Sequence, residues 1–189
     1  MIFHQLFSAV GFSNAFLLGP RGGGDALLVD PGEFDTPMLQ AIEANGLRLR
    51  WILVTHAHRA HIHGIRGLLR VYDAEVYCNQ PSLLEVGAHH VQDGDRLALG
   101  GVEVEVLEVP GHSIDSVCYR VGTLLYSGDT LYAGGIGRTR DLYARGLLVS
   151  SIRRRILGLG DETLLFPGHG PPSRVGIERR FNPFLAETL

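Results

Sequence analysis

The chain contains the stretch Ile52-Leu53-Val54-Thr55-His56-Ala57-His58-Arg59-Ala60-His61-Ile62-His63-Gly64. A short apolar run, typical of a buried strand, is followed at once by histidines in the pattern His-x-His-x-x-His. A spacing of two places His56 and His58 on one side of an extended segment, and a turn into a helix brings His61 back beside them. Imidazole is the commonest metal ligand in proteins, so this pattern predicts a site for a divalent ion such as zinc.

Three later segments repeat the arrangement of a strand followed by a metal-binding side chain. They are Val109-Pro110-Gly111-His112-Ser113, Tyr126-Ser127-Gly128-Asp129-Thr130 and Phe166-Pro167-Gly168-His169-Gly170. In each, a glycine precedes the histidine or aspartate, and glycine lets the backbone turn sharply at the strand end. We therefore expect these side chains to meet the histidines at a common rim of the fold.

Composition narrows the class of protein. The chain has 189 residues, of which 45% are hydrophobic and 20% charged, so we expect one domain over residues 1–189 with a sizeable core. A formal net charge of −3 gives no reason to expect nucleic acid or a membrane surface as partner. The start of the chain lacks the basic leader of a signal peptide. Two cysteines make no disulfide framework, and they favour a cytoplasmic location.

Apolar patterning predicts alternating strands and helices. The strands include a hairpin that turns over Gly122-Thr123. We expect helices over residues 38–44, 61–69, 147–157 and 175–181, and a short one over residues 82–86. This alternation favours an α/β protein with two sheets and helices outside them.

Taken together, these segments resemble the metallo-β-lactamase fold superfamily and, within it, the short glyoxalase II-like (hydroxyacylglutathione hydrolase-like) branch. The resemblance runs from about residue 10 to the end of the chain. Further supporting segments are Val29-Asp30-Pro31-Gly32, Gly135-Ile136-Gly137-Arg138-Thr139 and Glu178-Arg179-Arg180-Phe181-Asn182-Pro183-Phe184. The resemblance implies a four-layer αββα sandwich of two mixed sheets with helices outside, and a two-metal site at the sheet edge.

The resemblance also implies a set of metal ligands. The first metal would be held by His56, His58 and His112 with Asp129 bridging, and the second by His61, His169 and the same Asp129. The family motif has an aspartate where this chain has Ala60. Since the second site thereby loses a carboxylate, we expect the first site to fill before the second. His63 is an additional histidine, but a spacing of two points it away from His61 on a helix, and we expect the adjacent pair His89 and His90 to be solvated.

The resemblance implies a metal-dependent hydrolase of a thioester or similar acyl ester. Its nucleophile would be a metal-bound hydroxide, with Asp129 as the catalytic carboxylate and Arg138 contacting a small-molecule substrate. The expected cofactor is zinc, as one or two ions, with iron or manganese as alternatives. We expect activity to be reduced by the missing carboxylate. No C-terminal helical substrate domain is expected, so recognition of glutathione stays open.

Two other functions fit the sequence. One is a mononuclear enzyme similar to the iron persulfide dioxygenases, which resemble the same branch and would use His56, His112 and Asp129. The other is a non-catalytic relative with a degraded second metal site. The metal content of the purified protein separates the three functions, whereas the acyl substrate, the native metal and the oligomeric state do not follow from the sequence.

Overall fold

The computed structural model describes residues 1–185 and groups them into two compact units. The first unit comprises residues 1–91 and 98–102, and the second comprises residues 92–97 and the described residues from 103 onward. The chain forms two six-stranded sheets, and both contain parallel and antiparallel pairs. The predicted two mixed sheets with helices are therefore present, whereas the assignment of residues 1–189 to one domain stays a prediction.

The first unit carries a sheet with the strand order β1-β2-β3-β4-β5-β6. Its elements are β1 (Ile2–Phe7), β2 (Asn14–Gly19), β3 (Gly24–Val29), α1 (Thr36–Glu43), β4 (Leu47–Leu53), α2 (Arg59–Ile62), α3 (Ile65–Leu68), β5 (Glu75–Cys78), a 3₁₀-helix (Pro81–Leu83) in place of the short helix predicted over residues 82–86, and β6 (His89–His90). Strands β3 and β4 are parallel, and the last residue of each, Val29 and Leu53, lies opposite the other. The segments that follow these two strands therefore emerge side by side at one edge of the sheet.

Apolar packing explains why the first unit folds around these strands. Every residue of β2 is buried, and the side chains of Leu28 and Ile52 at the centre of the sheet have no exposed surface. Helix α1 contributes Met38 and Ile42, which lie four residues apart and face the same core. Its first turn is capped by Asp35, whose side chain accepts a 2.9 Å hydrogen bond from the backbone N–H of Met38.

The predicted helix over residues 61–69 is wrong in its extent. Two single-turn helices, α2 and α3, occupy this region, and Gly64 lies between them. The N–H of Gly64 donates to the carbonyl of Pro31 at 2.9 Å, and a Cβ added at this glycine would lie 2.6 Å from the carbonyl carbon of Glu33. Because the N–H of Gly64 donates to Pro31 and the carbonyl of Ala60 accepts from the Ser13 hydroxyl, the helical bond between residues 60 and 64 is replaced and the two helices stay separate.

The second sheet has the strand order β14-β13-β10-β9-β8-β7. The remaining elements are β7 (Arg96–Leu99), β8 (Val102–Glu108), β9 (Val117–Val121), β10 (Leu124–Gly128), β11 (Leu131–Tyr132), β12 (Gly135–Ile136), α4 (Leu142–Arg155), β13 (Leu164–Pro167), β14 (Ser173–Arg174) and α5 (Val175–Phe181). Strands β10 and β13 are parallel, with Gly128 opposite Pro167. Asp129 and the Gly168-His169 turn therefore follow neighbouring strand ends. The pair β11 and β12 forms a separate hairpin that the sequence patterning did not predict.

Helix α4 begins five residues before its predicted start at residue 147. Asp141 caps it by accepting a 2.7 Å hydrogen bond from the N–H of Ala144, and this bond is the main reason that the pKa of Asp141 lies below its ordinary value. The apolar side chains of Leu142 and Tyr143 in the first turn are exposed, so apolar periodicity does not indicate the start of α4. Helix α5 has the predicted bounds. Among the helices of residues 1–185, none is long and apolar enough to cross a membrane.

Candidate metal centre

The histidines after β4 lie together in the first unit. The ring centres of His56 and His58 are 4.7 Å apart, and those of His56 and His61 are 4.3 Å apart. The ligand atoms of His56 and His58 lie within 4.8 Å of each other. His56 and His61 are buried, whereas His58 is exposed. The turn into α2 thus brings the third histidine back beside the first, as the spacing predicts.

A buried carboxylate, Asp30, organises these rings. It directly follows β3 and has a left-handed backbone, with φ of 50°, which aspartate tolerates better than most residues. Its Oδ1 accepts from the N–H of Thr55 at 2.7 Å, and its Oδ2 accepts from the hydroxyl of Thr55 at 2.6 Å. The same Oδ2 lies 3.1 Å from Nδ1 of His61. The parallel pairing of β3 and β4 makes these contacts possible.

This network determines which ring nitrogen carries the proton. A carboxylate only accepts hydrogen bonds, so Nδ1 of His61 must be the protonated nitrogen. The Thr55 hydroxyl donates its hydrogen to Asp30, so the hydroxyl oxygen accepts a hydrogen bond from Nδ1 of His56, 3.1 Å away. Both rings therefore present the lone pair of Nε2, which is the form that ligates a cation. In the sequence, Asp30 stands out only as part of the segment Val29-Asp30-Pro31-Gly32, and no local signal indicates this role.

Ala60 occupies the start of α2, where it contacts the loop over residues 8–13. A Cβ added at Gly11 would lie 2.5 Å from the Cβ of Ala60, and the Ser13 hydroxyl donates to the Ala60 carbonyl at 2.6 Å. His63 is exposed. The pair expected to be solvated, His89 and His90, is exposed as well, with the His89 ring stacked on Tyr77 at 4.8 Å.

The second unit holds the other three predicted ligands. Oδ1 of Asp129 lies 2.7 Å from Nδ1 of His169, and Oδ2 lies 3.7 Å from Nε2 of His112. Asp129 is buried, and the two histidines are half-buried. Since the carboxylate is an acceptor, the proton of the His169 ring lies on Nδ1, and Nε2 again carries the lone pair.

His112 is oriented by main chain rather than by a side chain. Its Nδ1 donates to the carbonyl of Arg138 at 2.7 Å, which leaves the lone pair on Nε2. The neighbouring Gly137 leaves no room for a side chain, because a Cβ there would lie 1.8 Å from the carbonyl oxygen of Asp129. The Arg138 side chain, predicted to contact substrate, is exposed.

Tyr132 is a neighbour of Asp129 that the sequence analysis did not single out. Burial raises the pKa of its phenol above the ordinary value, and the charge of Asp129 and a hydrogen bond to it raise it further, while Arg138 acts in the opposite direction. The phenol therefore stays neutral and donates to the Asp129 carboxylate. Its ring centre lies 6.4 Å from that of His169.

The donor chemistry of each unit suits a divalent cation. Four imidazoles have Nδ1 bonded to an oxygen acceptor and carry the lone pair on Nε2, the nitrogen that would ligate a cation: His56, His61, His112 and His169. Such outer partners are the usual accompaniment of metal-binding histidines. Neutral imidazoles with a carboxylate oxygen form a ligand set that zinc and other first-row metals accept.

Comparisons with known proteins agree with this chemistry. A sequence model of the metallo-beta-lactamase superfamily matches residues 9–169. The probable metallo-hydrolase YqgX of Bacillus subtilis is 38% identical, with 92% of each chain covered. The hydroxyacylglutathione hydrolase GloC of Haemophilus influenzae is 32% identical over 85% of this chain and 87% of its own.

Solved structures are similar as well. That of ETHE1 from Myxococcus xanthus has a TM-score of 0.86 and 32% identity, covering 97% of this chain and 84% of its own. The structure of TTHA1623 in a di-iron-bound form has a TM-score of 0.84 and 30% identity, covering 96% of this chain and all of its own. These likenesses and the two mixed sheets with helices confirm the predicted fold class.

Proposed function

Since the chain belongs to the metallo-β-lactamase superfamily, we propose that it is a metal-dependent hydrolase of a thioester or similar acyl ester, similar to glyoxalase II. The predicted resemblance to that superfamily and to hydroxyacylglutathione hydrolases is confirmed. The observation that carries the proposal is the hydrogen bonding of the imidazoles, because their Nδ1 partners leave Nε2 to ligate a cation in both units.

The proposed ligand sets are those of the sequence analysis. His56, His58 and His112 would hold the first ion with Asp129, and His61 and His169 would hold the second with the same Asp129. With Ala60 in place of the motif aspartate, the second set has one carboxylate fewer, so it should bind more weakly. Zinc is the proposed metal, with iron and manganese as alternatives that the same ligands accept. A bound ion supplies Lewis-acid polarisation of the substrate carbonyl and lowers the pKa of water.

The residues of the chain have separate tasks in this proposal. Asp129 is the proposed catalytic carboxylate, and its contacts with His169 and Tyr132 hold it in place. Arg138 lies after the hairpin next to Asp129, and its exposed guanidinium would contact an anionic part of the substrate. A thiolate leaves without a strong general acid, because it is a weaker base than an amine or alkoxide.

A mononuclear iron enzyme similar to the persulfide dioxygenases is the second candidate. The chain is as similar to ETHE1 from Myxococcus xanthus, at 32% identity, as it is to GloC, and the similar structure of TTHA1623 is a di-iron-bound form, which supports iron as the metal. Such an enzyme would use His56, His112 and Asp129 only. The hydrogen bond between His169 and Asp129 favours the hydrolase, because the mononuclear site has no use for that histidine. A non-catalytic relative is the third candidate.

Metal analysis of protein purified without added metal tests the proposal. We expect one to two equivalents of zinc and turnover of a glutathione or other acyl thioester. One equivalent of iron together with oxygen consumption on a persulfide would replace the hydrolase by the dioxygenase. Absence of bound metal and of both activities would favour the non-catalytic relative.

A matched pair of variants locates the site. We expect His112→Ala to lower thioester turnover by more than about a hundredfold, exceeding the loss expected for an outer-shell partner. His89→Ala removes an exposed ring stacked on Tyr77 and should change neither metal content nor turnover. Equal effects of the two variants would show that the ligands are misassigned.

A further inference from the structure

A second buried carboxylate, Glu178 in α5, connects segments that are distant in the sequence. Only 2% of its surface is exposed. Its Oε2 accepts from the backbone N–H of Gly134 at 2.9 Å and from the amide of Asn182 at 2.8 Å. Its Oε1 accepts from the hydroxyl of Ser173 at 2.5 Å. All three partners are donors to one side chain, so an acceptor group is what this position requires.

The first of these segments is the hairpin of β11 and β12, which begins two residues after Asp129. The Asn182 amide also donates to the carbonyl of Gly135 at 3.0 Å, so Glu178 and Asn182 hold both an N–H and a C=O of the hairpin turn. The chain leaves the hairpin into Gly137 and Arg138, whose carbonyl orients His112. Displacing the turn would therefore disturb the main chain on which His112 depends.

The second segment is the loop after His169. Four residues beyond this histidine, Ser173 pairs with β13 at Leu165 and donates its hydroxyl to Glu178. His169 itself follows β13 and contacts Asp129. One carboxylate thus contacts the chain after Asp129 and the chain after His169.

We propose that Glu178 is a positioning residue that sets the geometry of Asp129, His112 and His169 by holding these two segments in place. The inference rests on the proposed function, in which these three side chains ligate metal. A role limited to anchoring α5 is the competing explanation. That anchoring is already supplied on another side of the helix by Asp161, whose carboxylate pairs with Arg179 and Arg180.

The chemistry of the three contacts distinguishes a conservative variant from a disruptive one. In Glu178→Gln, the amide oxygen can accept from both Gly134 and Asn182, and the Ser173 hydroxyl can rotate to accept from the amide NH₂. In Glu178→Ala, all three donors lose their partner in a buried place, which is costly. The glutamine variant should therefore restore what the alanine variant loses.

The experiment measures zinc affinity by competition with a chelator, thermal unfolding, and amide hydrogen exchange in zinc-free protein. We expect Glu178→Ala to weaken zinc binding at least tenfold, about 1.4 kcal/mol, and to accelerate exchange at residues 134–137. Glu178→Gln should stay within about threefold of the wild type, which is under 1 kcal/mol. Asp161→Ala, the matched control, should lower the unfolding temperature without changing zinc affinity or exchange at the hairpin.

Should Glu178→Ala not fold, Asn182→Ala leaves Glu178 in place. It removes the contact with Gly135, one donor to Glu178 and the acceptor for the N–H of Phe184. A three- to tenfold loss of zinc affinity is expected, about 0.7–1.4 kcal/mol. If Glu178→Ala folds and its zinc affinity equals that of the wild type, the inference is overturned. If Glu178→Ala does not fold, an unchanged zinc affinity in Asn182→Ala overturns it. An equal loss in Asp161→Ala would overturn it too. A wild-type protein that binds no divalent metal would instead overturn the proposed function, a result that the variants cannot produce.

Discussion

Replacing Asp30 by asparagine tests whether the buried carboxylate selects the ligating form of His61. Asparagine has the same shape and tolerates the left-handed backbone at this position, so the fold should persist. Its oxygen can still accept from the N–H of Thr55, but an NH₂ donor then replaces Oδ2. The Thr55 hydroxyl can rotate to accept from that NH₂, whereas the His61 ring must move its proton from Nδ1 to Nε2.

The magnitude follows from the bond that is exchanged. Holding His61 with a proton on Nδ1 opposite an NH₂ donor forfeits one hydrogen bond to a charged group, which contributes about 1.5–3 kcal/mol. Zinc binding at His61 requires that form of the ring, so the affinity of that ion should fall by about 10- to 100-fold. Zinc-free protein avoids the penalty by shifting the proton. Its free energy of unfolding should therefore fall by less, about 1 kcal/mol.

Chelator competition and denaturant unfolding, run on the same preparations, measure the two quantities. Asp35→Asn is the matched control, because it makes the same chemical change at the cap of α1, where asparagine caps as well as aspartate. It should leave zinc affinity unchanged. An Asp30→Asn protein whose zinc affinity stays within twofold of the wild type, about 0.4 kcal/mol, would refute the assigned proton position.

Three further predictions concern the surroundings of the site. Gly11→Ala should lower the free energy of unfolding by about 1–3 kcal/mol, since its Cβ would lie 2.5 Å from that of Ala60. The control Gly22→Ala has a similar φ but open space around the new Cβ, so it should lower that free energy by about 1 kcal/mol. Equal losses in denaturant titrations of the two variants would contradict the clash. Ala60→Asp should raise the zinc affinity of the weaker site about tenfold, about 1.4 kcal/mol. A zinc titration measures the affinity and stoichiometry of both sites. Weaker binding in the variant would show that the loop over residues 8–13 excludes the carboxylate. Burial and the hydrogen bond to Glu75 raise the pKa of Tyr77 from 10.0 to about 12. The neutral phenol therefore stabilises the folded protein fully below the pKa of the unfolded chain, and this contribution is lost as the pH rises to about 12. Glu75→Gln should lower the pKa of Tyr77 in an ultraviolet titration, and an unchanged pKa would exclude the hydrogen bond as a cause.

Much of the site could be predicted because its donors follow strand ends. Apolar runs that stop at glycine or proline mark those ends in the sequence, and the parallel pairing of β10 with β13 brings Asp129 and His169 together. The spacing of the histidines, with a turn into a helix after His58, predicted that His56 and His61 lie next to each other, as their rings do. Fold class followed from the alternation of strands and helices and from the resemblance of the motifs.

The supporting contacts could not be predicted, since they join residues far apart in the chain. Asp30 and His61 are separated by 31 residues, and Gly134 and Glu178 by 44. Local periodicity reports which face of an element is apolar, but it carries no information about such pairs. The early start of α4 escaped for a different reason, because Asp141 caps a first turn whose apolar side chains are exposed.

The hydrogen bond from His112 to the carbonyl of Arg138 makes the orientation of the His112 ring independent of the side chain at position 138. All twenty amino acids have a main-chain carbonyl, so this contact survives any substitution at position 138 that leaves the backbone in place. The side chain at that position is exposed and has no part in orienting the ring. Evolution can therefore vary the chemistry at this rim one residue at a time while the orientation of His112 is inherited unchanged. Such a division between a constant main chain and a variable side chain is one route by which a single fold acquires new substrates.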